Sequence, residues 1–176
     1  LLGACDVRTR FTDAAEVFGP QKGASDAHIR LLTGRLERLV QVYEERYGVD
    51  VSAMDRAGAA GGLAGGLAAR GAQLVDGVDL VAEEVRLDEH LAGADLVVTG
   101  EGRLDATSMA GKVVGGVAAY AAAAGVPLLV VVGSADPDVI VPGDVLSLVD
   151  LFGLDRAQTD TGACVTEAVA GWLAGR

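Results

Sequence analysis

The chain has 176 residues, a formal net charge of −11, 51% hydrophobic residues and only 4% aromatic ones. That length suits one full domain or two partial ones, and the apolar fraction calls for a globular chain with a core of Val, Leu and Ala. The acidic balance argues against nucleic acid, whose phosphates are bound by excess Lys and Arg, and no apolar run approaches the roughly 18 residues of a membrane span.

In chain order, "LLGACDV" has no initiator Met and reads as the continuation of something longer. Asp6, at the end of this apolar run, is either a substrate ligand or a turn former. "FGPQKGAS" (18–25) is a loop around Pro20 that ends in an N-cap at Ser25. From Asp26 to Tyr47 the residues Ile29, Leu32, Leu36, Leu39, Val40, Tyr43 and Tyr47 recur at three- and four-residue steps. This predicts a helix with one buried face, stopped by Gly48. The Gly- and Ala-rich run "RAGAAGGLAGGLAARGAQLV" (56–75) keeps Leu63 and Leu67 at helical spacing. It predicts a short helix entered near Gly61 or Gly62 and left at Gly71, then a strand over Ala72–Val75.

From Asp95 the texture changes. "DLVVTG" and "PLLVVVG" are continuous apolar runs bounded by glycine, as in parallel strands covered on both faces. Between them "GKVVGGVAAYAAAAG" predicts a helix closed by Gly125 and Pro127, giving a β-α-β unit. A third strand near Val145–Leu151 and a last helix from about Gly162 to Leu173 continue the alternation. Residues 94–176 thus read as part of a doubly wound parallel sheet, and residues 1–93 as part of another domain. Cys5 and Cys164 lack any CxxC spacing and read as buried thiols of a protein in a reducing cytoplasm. His28 and His90 fall on charged helical faces, and Trp172 falls where the last helix packs inward.

The stretch "VVTGEGRLDATSMAGK" (97–112) carries the chemistry. It sets Gly100, Glu101, Gly102, Arg103 and Asp105 at the carboxyl end of a parallel strand, where open α/β sheets bind ligands. A dinucleotide fingerprint would need glycine where Asp105 stands, and a Walker A loop fails at Ala106 and Val113. The residues alone leave two readings open, a ligand-binding turn and a glycine turn with solvated charges.

"ACDV", "VFGPQKGAS", "GAAGGLAGGL", "VVTGEGRLDATSMAGK" and "VVVGS" resemble, in order and spacing, the C-terminal half of the bacterial glycerate kinase family. The resemblance implies an α/β fold: a flavodoxin-like domain, holding residues 94–176, into which a second α/β domain, holding residues 1–93, is inserted. It also implies phosphorylation of D-glycerate, or a related hydroxy acid, by ATP with Mg²⁺, completed by an N-terminal half. The 176 residues alone are not expected to turn over substrate. One segment departs from the pattern: "RTRFTDAAE" stands where the family has an Asn-Pro-Leu turn. Phosphoryl transfer needs charge neutralisation, a divalent ion and a positioned hydroxyl. On that basis Lys22 and Arg103 supply fixed positive charge, and Glu101 and Asp105 are hard oxygen ligands for Mg²⁺. Gly100, Gly102 and Gly111 allow backbone N–H groups close to phosphate oxygens. Lys112 opens a helix beside them or is a surface lysine, and Asp6 is a substrate contact. Two other readings stay open, a catalytically silent nucleotide- or metabolite-binding module and an interaction domain. An incomplete sheet further predicts a homodimer or larger assembly.

Overall fold

The computed structural model describes residues 1–109 and 112–175. The chain divides into two compact units, Leu1–Leu80 and Val81–Arg176, each with its own parallel sheet.

In the first unit β1 (Leu2–Cys5) is followed by α1 (Ala14–Phe18), a 3₁₀ turn at Pro20–Lys22, and α2 (Asp26–Tyr47). A second 3₁₀ turn at Ala59–Gly62, α3 (Leu63–Ala68) and β2 (Gln73–Asp76) complete it. β1 and β2 pair in parallel, from Leu2 opposite Gln73 to Cys5 opposite Asp76. α2 has the predicted bounds: the Ser25 hydroxyl accepts the His28 N–H at 3.4 Å, and Gly48 closes the helix in the left-handed region, with φ 69°.

The core of this unit is Phe11, Val51, Ala57 and Ala69, against which Leu36, Val40 and Tyr43 of α2 pack. Phe11 meets Tyr43 edge-on at 6.0 Å. The Gly-rich run serves that ring, since a Cβ on Gly65 would lie 2.3 Å from Phe11 Cδ2. The buried helix face expected from periodicity forms only in part. No residue of α2 is buried, and Leu32 and Leu39 remain 41% and 39% exposed. The reason is length: 22 residues run about 33 Å, whereas the five residues of α1 cover only a small part of that.

Asp76 closes β2 and is itself buried. Arg56 binds it in bidentate fashion, with Nε donating to Oδ1 at 2.9 Å, and Arg8 donates to Oδ2 at 2.7 Å. Arg56 reaches it from the left-handed region, φ 71°, which a side-chain-bearing residue seldom adopts.

The second unit continues through α4 (Gly77–Glu84), begun at the end of the first, to α5 (Leu87–Leu91), β3 (Val97–Leu104), α6 (Val113–Ala124) and β4 (Leu128–Ala135). After it come β5 (Asp144–Ser147), α7 (Leu148–Phe152), α8 (Leu154–Thr159) and α9 (Thr161–Ala174). The sheet order is β3-β4-β5, all parallel. Leu128, Val130 and Val132 of β4 pack with Val114, Ala118 and Ala121 of α6, while Leu129 and Val131 face Leu148, Ala157, Cys164 and Ala168. β4 is therefore covered on both faces, which is why its sequence is a continuous apolar run. Trp172 packs against the second of these cores and donates its ring N–H to Asp144 at 3.0 Å.

The third strand is shorter than expected. It ends at Ser147, and Leu148–Phe152 is helical. A short apolar run fits either state, and the Ser147 hydroxyl, accepting the Asp150 N–H at 3.4 Å, caps the helix.

Alternation in β3 and β4 slips where the glycines lie. Val97 and Leu104, seven apart, share one core, as do Val132 and Ala135, three apart. Strict alternation would put each pair on opposite faces, so both strands change phase in between. Close backbone approach accompanies the change: a Cβ on Gly133 would lie 2.4 Å from the Gly102 carbonyl oxygen, and one on Gly100 only 2.0 Å from that of Val131. Gly100→Ala is expected to cost about 2 kcal/mol or more through this clash. Gly102→Ala, with nothing within 4 Å of its added Cβ, should stay within about 0.5 kcal/mol of wild type. Urea denaturation of the two variants checks this, and equal losses would contradict it.

Candidate active site

The carboxyl ends of β3 and β4 gather most of the polar residues singled out above. Asp105 follows β3 directly and organises the turn into α6. Its Oδ1 accepts the Thr107 N–H at 2.8 Å and the Thr107 hydroxyl at 2.6 Å. From the other side, the fully buried Ser108 hydroxyl accepts the Asp105 N–H at 3.0 Å, and the Ser108 carbonyl accepts Gly115 N–H at 3.1 Å, tying the turn to the first turn of α6. Lys112 occupies the N-cap position of α6 and donates to the Thr107 hydroxyl at 2.7 Å. A continuous chain Lys112–Thr107–Asp105 results. Hydrogen bonds from Thr107, first its hydroxyl and then its N–H, hold the Asp105 carboxyl below the usual carboxylate range, and the charge of Lys112 adds to them.

Arg103 extends from β3 and is 68% exposed. One of its terminal nitrogens contacts both oxygens of Asp136, at 3.0 and 3.4 Å. Asp136 stands just past β4, fixed by its N–H donating to the Leu104 carbonyl at 2.9 Å. A guanidinium held this way has further N–H donors of the kind that pair with oxyanions. Glu101 is different in kind: its Oε1 is enclosed and has no hydrogen-bond partner among the described residues. An enclosed carboxylate oxygen without a donor is costly unless something else fills the place.

That oxygen tests the fit of a divalent ion. No group of three or more His, Cys, Asp or Glu side chains gathers among the described residues, which argues against an all-protein metal cage. Mg²⁺ needs none, since it is held by one or two carboxylates with water and phosphate oxygens. Glu101 Oε1 suits the first carboxylate, and Asp105, with Oδ1 taken by Thr107, has Oδ2 left for the second. Gly102 is open, whereas Gly100 is demanded by the backbone of β4. Gly111 lies outside the described residues.

Two of the expected site residues belong to the first unit. Asp6 is exposed immediately after β1, and Lys22 ends the 3₁₀ turn and lines a groove along α2. Asp136 and Thr107 were not anticipated from the sequence. Each had a signal: Asp136 ends the neighbouring parallel strand at the same edge as Arg103, and D-x-T is the pattern of an Asx turn.

Comparisons with known proteins place the chain in a family. The model of the "Glycerate kinase family" matches residues 1–168. A relative from Halalkalibacterium halodurans named glycerate kinase is 44% identical over 135 residues, 74% of this chain and 36% of its own length. One from Escherichia coli K12 named glycerate 2-kinase is 41% identical over 140 residues, 77% of this chain and 37% of its own. A crystal structure from Salmonella typhimurium LT2, described under the name glycerate kinase 2, superposes with a TM-score of 0.62 at 35% identity, covering 96% of this chain and 48% of that one. The chain thus spans less than half the length of these relatives.

Proposed function

The chain belongs to the glycerate kinase family, and we propose that it carries part of the phosphoryl-transfer machinery of an enzyme that phosphorylates D-glycerate, or a related hydroxy acid, with ATP. The observation that favours this is the stretch from β3 to α6, which carries an exposed guanidinium, a carboxylate with an enclosed oxygen that has no partner among the described residues, and a lysine at the N-cap of α6. Arg103 turns from Asp136 toward the phosphoryl oxygens and stabilises the charge they gather in the transition state. Lys112 adds positive charge at the positive end of the α6 dipole. Glu101, helped by Asp105, is placed to hold Mg²⁺, which when bound would neutralise phosphate charge. In the same reading Lys22 supplies a further cation and Asp6 contacts the substrate. Residues 1–93 are then a portion of the inserted domain and residues 94–176 a portion of the flavodoxin-like one, in a cytoplasmic and oligomeric enzyme.

A second reading, a catalytically silent binding module, has a specific motive. "RTRFTDAAE" departs from the family pattern, and Arg103 is already neutralised by Asp136. Phosphorus NMR separates the two. The folded protein carrying this chain at the length of its relatives, given ATP, Mg²⁺ and D-glycerate, should build up ADP and a phosphoglycerate resonance. A spectrum that stays that of ATP, or ADP formation indifferent to glycerate, would favour the silent module.

A further inference from the structure

The hydrogen bonds of the Thr107 hydroxyl run in directions that its partners fix. An ammonium has only donors, so at 2.7 Å the hydroxyl oxygen accepts from Lys112 Nζ. An ionised carboxylate has only acceptors, so at 2.6 Å the hydroxyl gives its proton to Asp105 Oδ1. Cation and anion are thus linked through one neutral oxygen. Among the described residues no ion pair joins Lys112 to Asp105 directly.

The turn itself does not need this hydroxyl. The Thr107 N–H already closes it on Asp105 Oδ1 at 2.8 Å, and any residue but proline supplies that N–H. From the other side the buried Ser108 hydroxyl accepts the Asp105 N–H at 3.0 Å, whatever side chain stands at position 107. Thr107 is exposed, so its side chain contributes little to packing. What the hydroxyl adds is the placement of two groups at once. It engages Oδ1, so that Oδ2 is the oxygen of Asp105 left for a ligand, and it holds the ammonium by one of its three N–H donors.

We propose that Thr107 is a positioning residue of this site. Its hydroxyl holds the Lys112 ammonium and the Asp105 carboxylate one step apart, so that both stay available to phosphate and its divalent ion instead of neutralising each other. What the two groups serve rests on the phosphoryl-transfer reading; the link between them does not. Hydrogen-bond partners of this kind, which orient a metal-binding carboxylate without touching the metal, are worth about 10- to 100-fold in metal affinity or activity.

Thr107→Val keeps the N–H and nearly the same shape and removes the hydroxyl, and Thr107→Ser returns it. Mn²⁺ binding with ADP present, followed by electron paramagnetic resonance, should weaken about tenfold or more in Thr107→Val and recover to within about threefold of wild type in Thr107→Ser. Both variants should melt within a few degrees of wild type. In the protein at the length of its relatives, Thr107→Val should lower kcat about tenfold or more while the KM for glycerate moves little. That loss should not multiply with the loss from Lys112→Met, because both substitutions break the same link. Mn²⁺ affinity that ignores Thr107→Val, or that Thr107→Ser fails to restore, would overturn the assignment. So would kcat losses that multiply, a loss that tracks a falling melting temperature, or a wild-type protein that holds no Mn²⁺. The two readings fail separately: Thr107-dependent Mn²⁺ binding with no phosphoglycerate formed removes the kinase alone, and phosphoglycerate formed at wild-type rate by Thr107→Val removes the positioning role alone.

Discussion

Replacing Arg103 by Ala is expected to lower ATP- and glycerate-dependent turnover by about 100- to 1,000-fold, with stability moved by less than about 1 kcal/mol. The two effects separate because of where the residue stands. Its side chain is 68% exposed and its one ion pair, with Asp136, is 42% exposed on the partner's side, so folding gains little from it. A guanidinium aimed at developing phosphoryl charge acts only in the transition state, and its loss should appear in kcat more than in KM. Steady-state kinetics and a urea melt on the same preparation decide the matter. A stability loss in step with activity would make Arg103 a structural residue.

Asp76→Asn should do the reverse, costing about 3 kcal/mol of stability in the first unit. Asp76 is 8% exposed and Arg56 19% exposed, so the change leaves a largely enclosed guanidinium without its counter-charge. The same pair gives a pH signature. Hydrogen bonding and charge from Arg56 first, then from Arg8, hold the Asp76 carboxyl below its ordinary value of 3.8. A carboxyl lowered on folding contributes stability that is present above the unfolded pKa and is lost as pH falls through the folded one. The gap between wild type and Asp76→Asn, measured by urea denaturation, should therefore be full at pH 7 and shrink on acidification below about pH 4. An unchanged gap at pH 3 would mean that packing, not charge, is what the substitution removes.

Much of the fold could be read from residues with a single physical meaning. Ser25 and Gly48 bracket α2 because one caps an N-terminus and the other accepts a left-handed φ. "PLLVVVG", β-branched and bounded by proline and glycine, reads as a strand covered on both faces, and β4 is one. The misreadings came where a local pattern is ambiguous. "VLSLVDL" suits either state until Ser147 caps a helix, and a 3.6-residue period reports which face is apolar without reporting what is available to cover it. At the candidate site, the positions of Glu101, Arg103 and Asp105 at the end of a strand and of Lys112 at the start of a helix were legible, because the glycine-bounded apolar run marks where β3 stops. Asp136 and Thr107 were not. Asp136 becomes a neighbour only through β3–β4 pairing, and the D-x-T spacing that marks Thr107 reports an Asx turn without reporting that its hydroxyl links Asp105 to Lys112. Nor does sequence separate Gly100, needed by the backbone of Val131, from Gly102, which meets nothing.

The most direct measurement is divalent-ion binding at Glu101, read by electron paramagnetic resonance of Mn²⁺ in place of Mg²⁺ with ADP present. Its enclosed oxygen has no donor among the described residues and is the feature that most calls for a ligand. Wild-type protein should hold Mn²⁺, and Glu101→Gln, melting within a few degrees of wild type, should weaken that binding at least tenfold. Equal Mn²⁺ affinity in the two proteins would contradict a phosphoryl-transfer centre at the carboxyl end of β3.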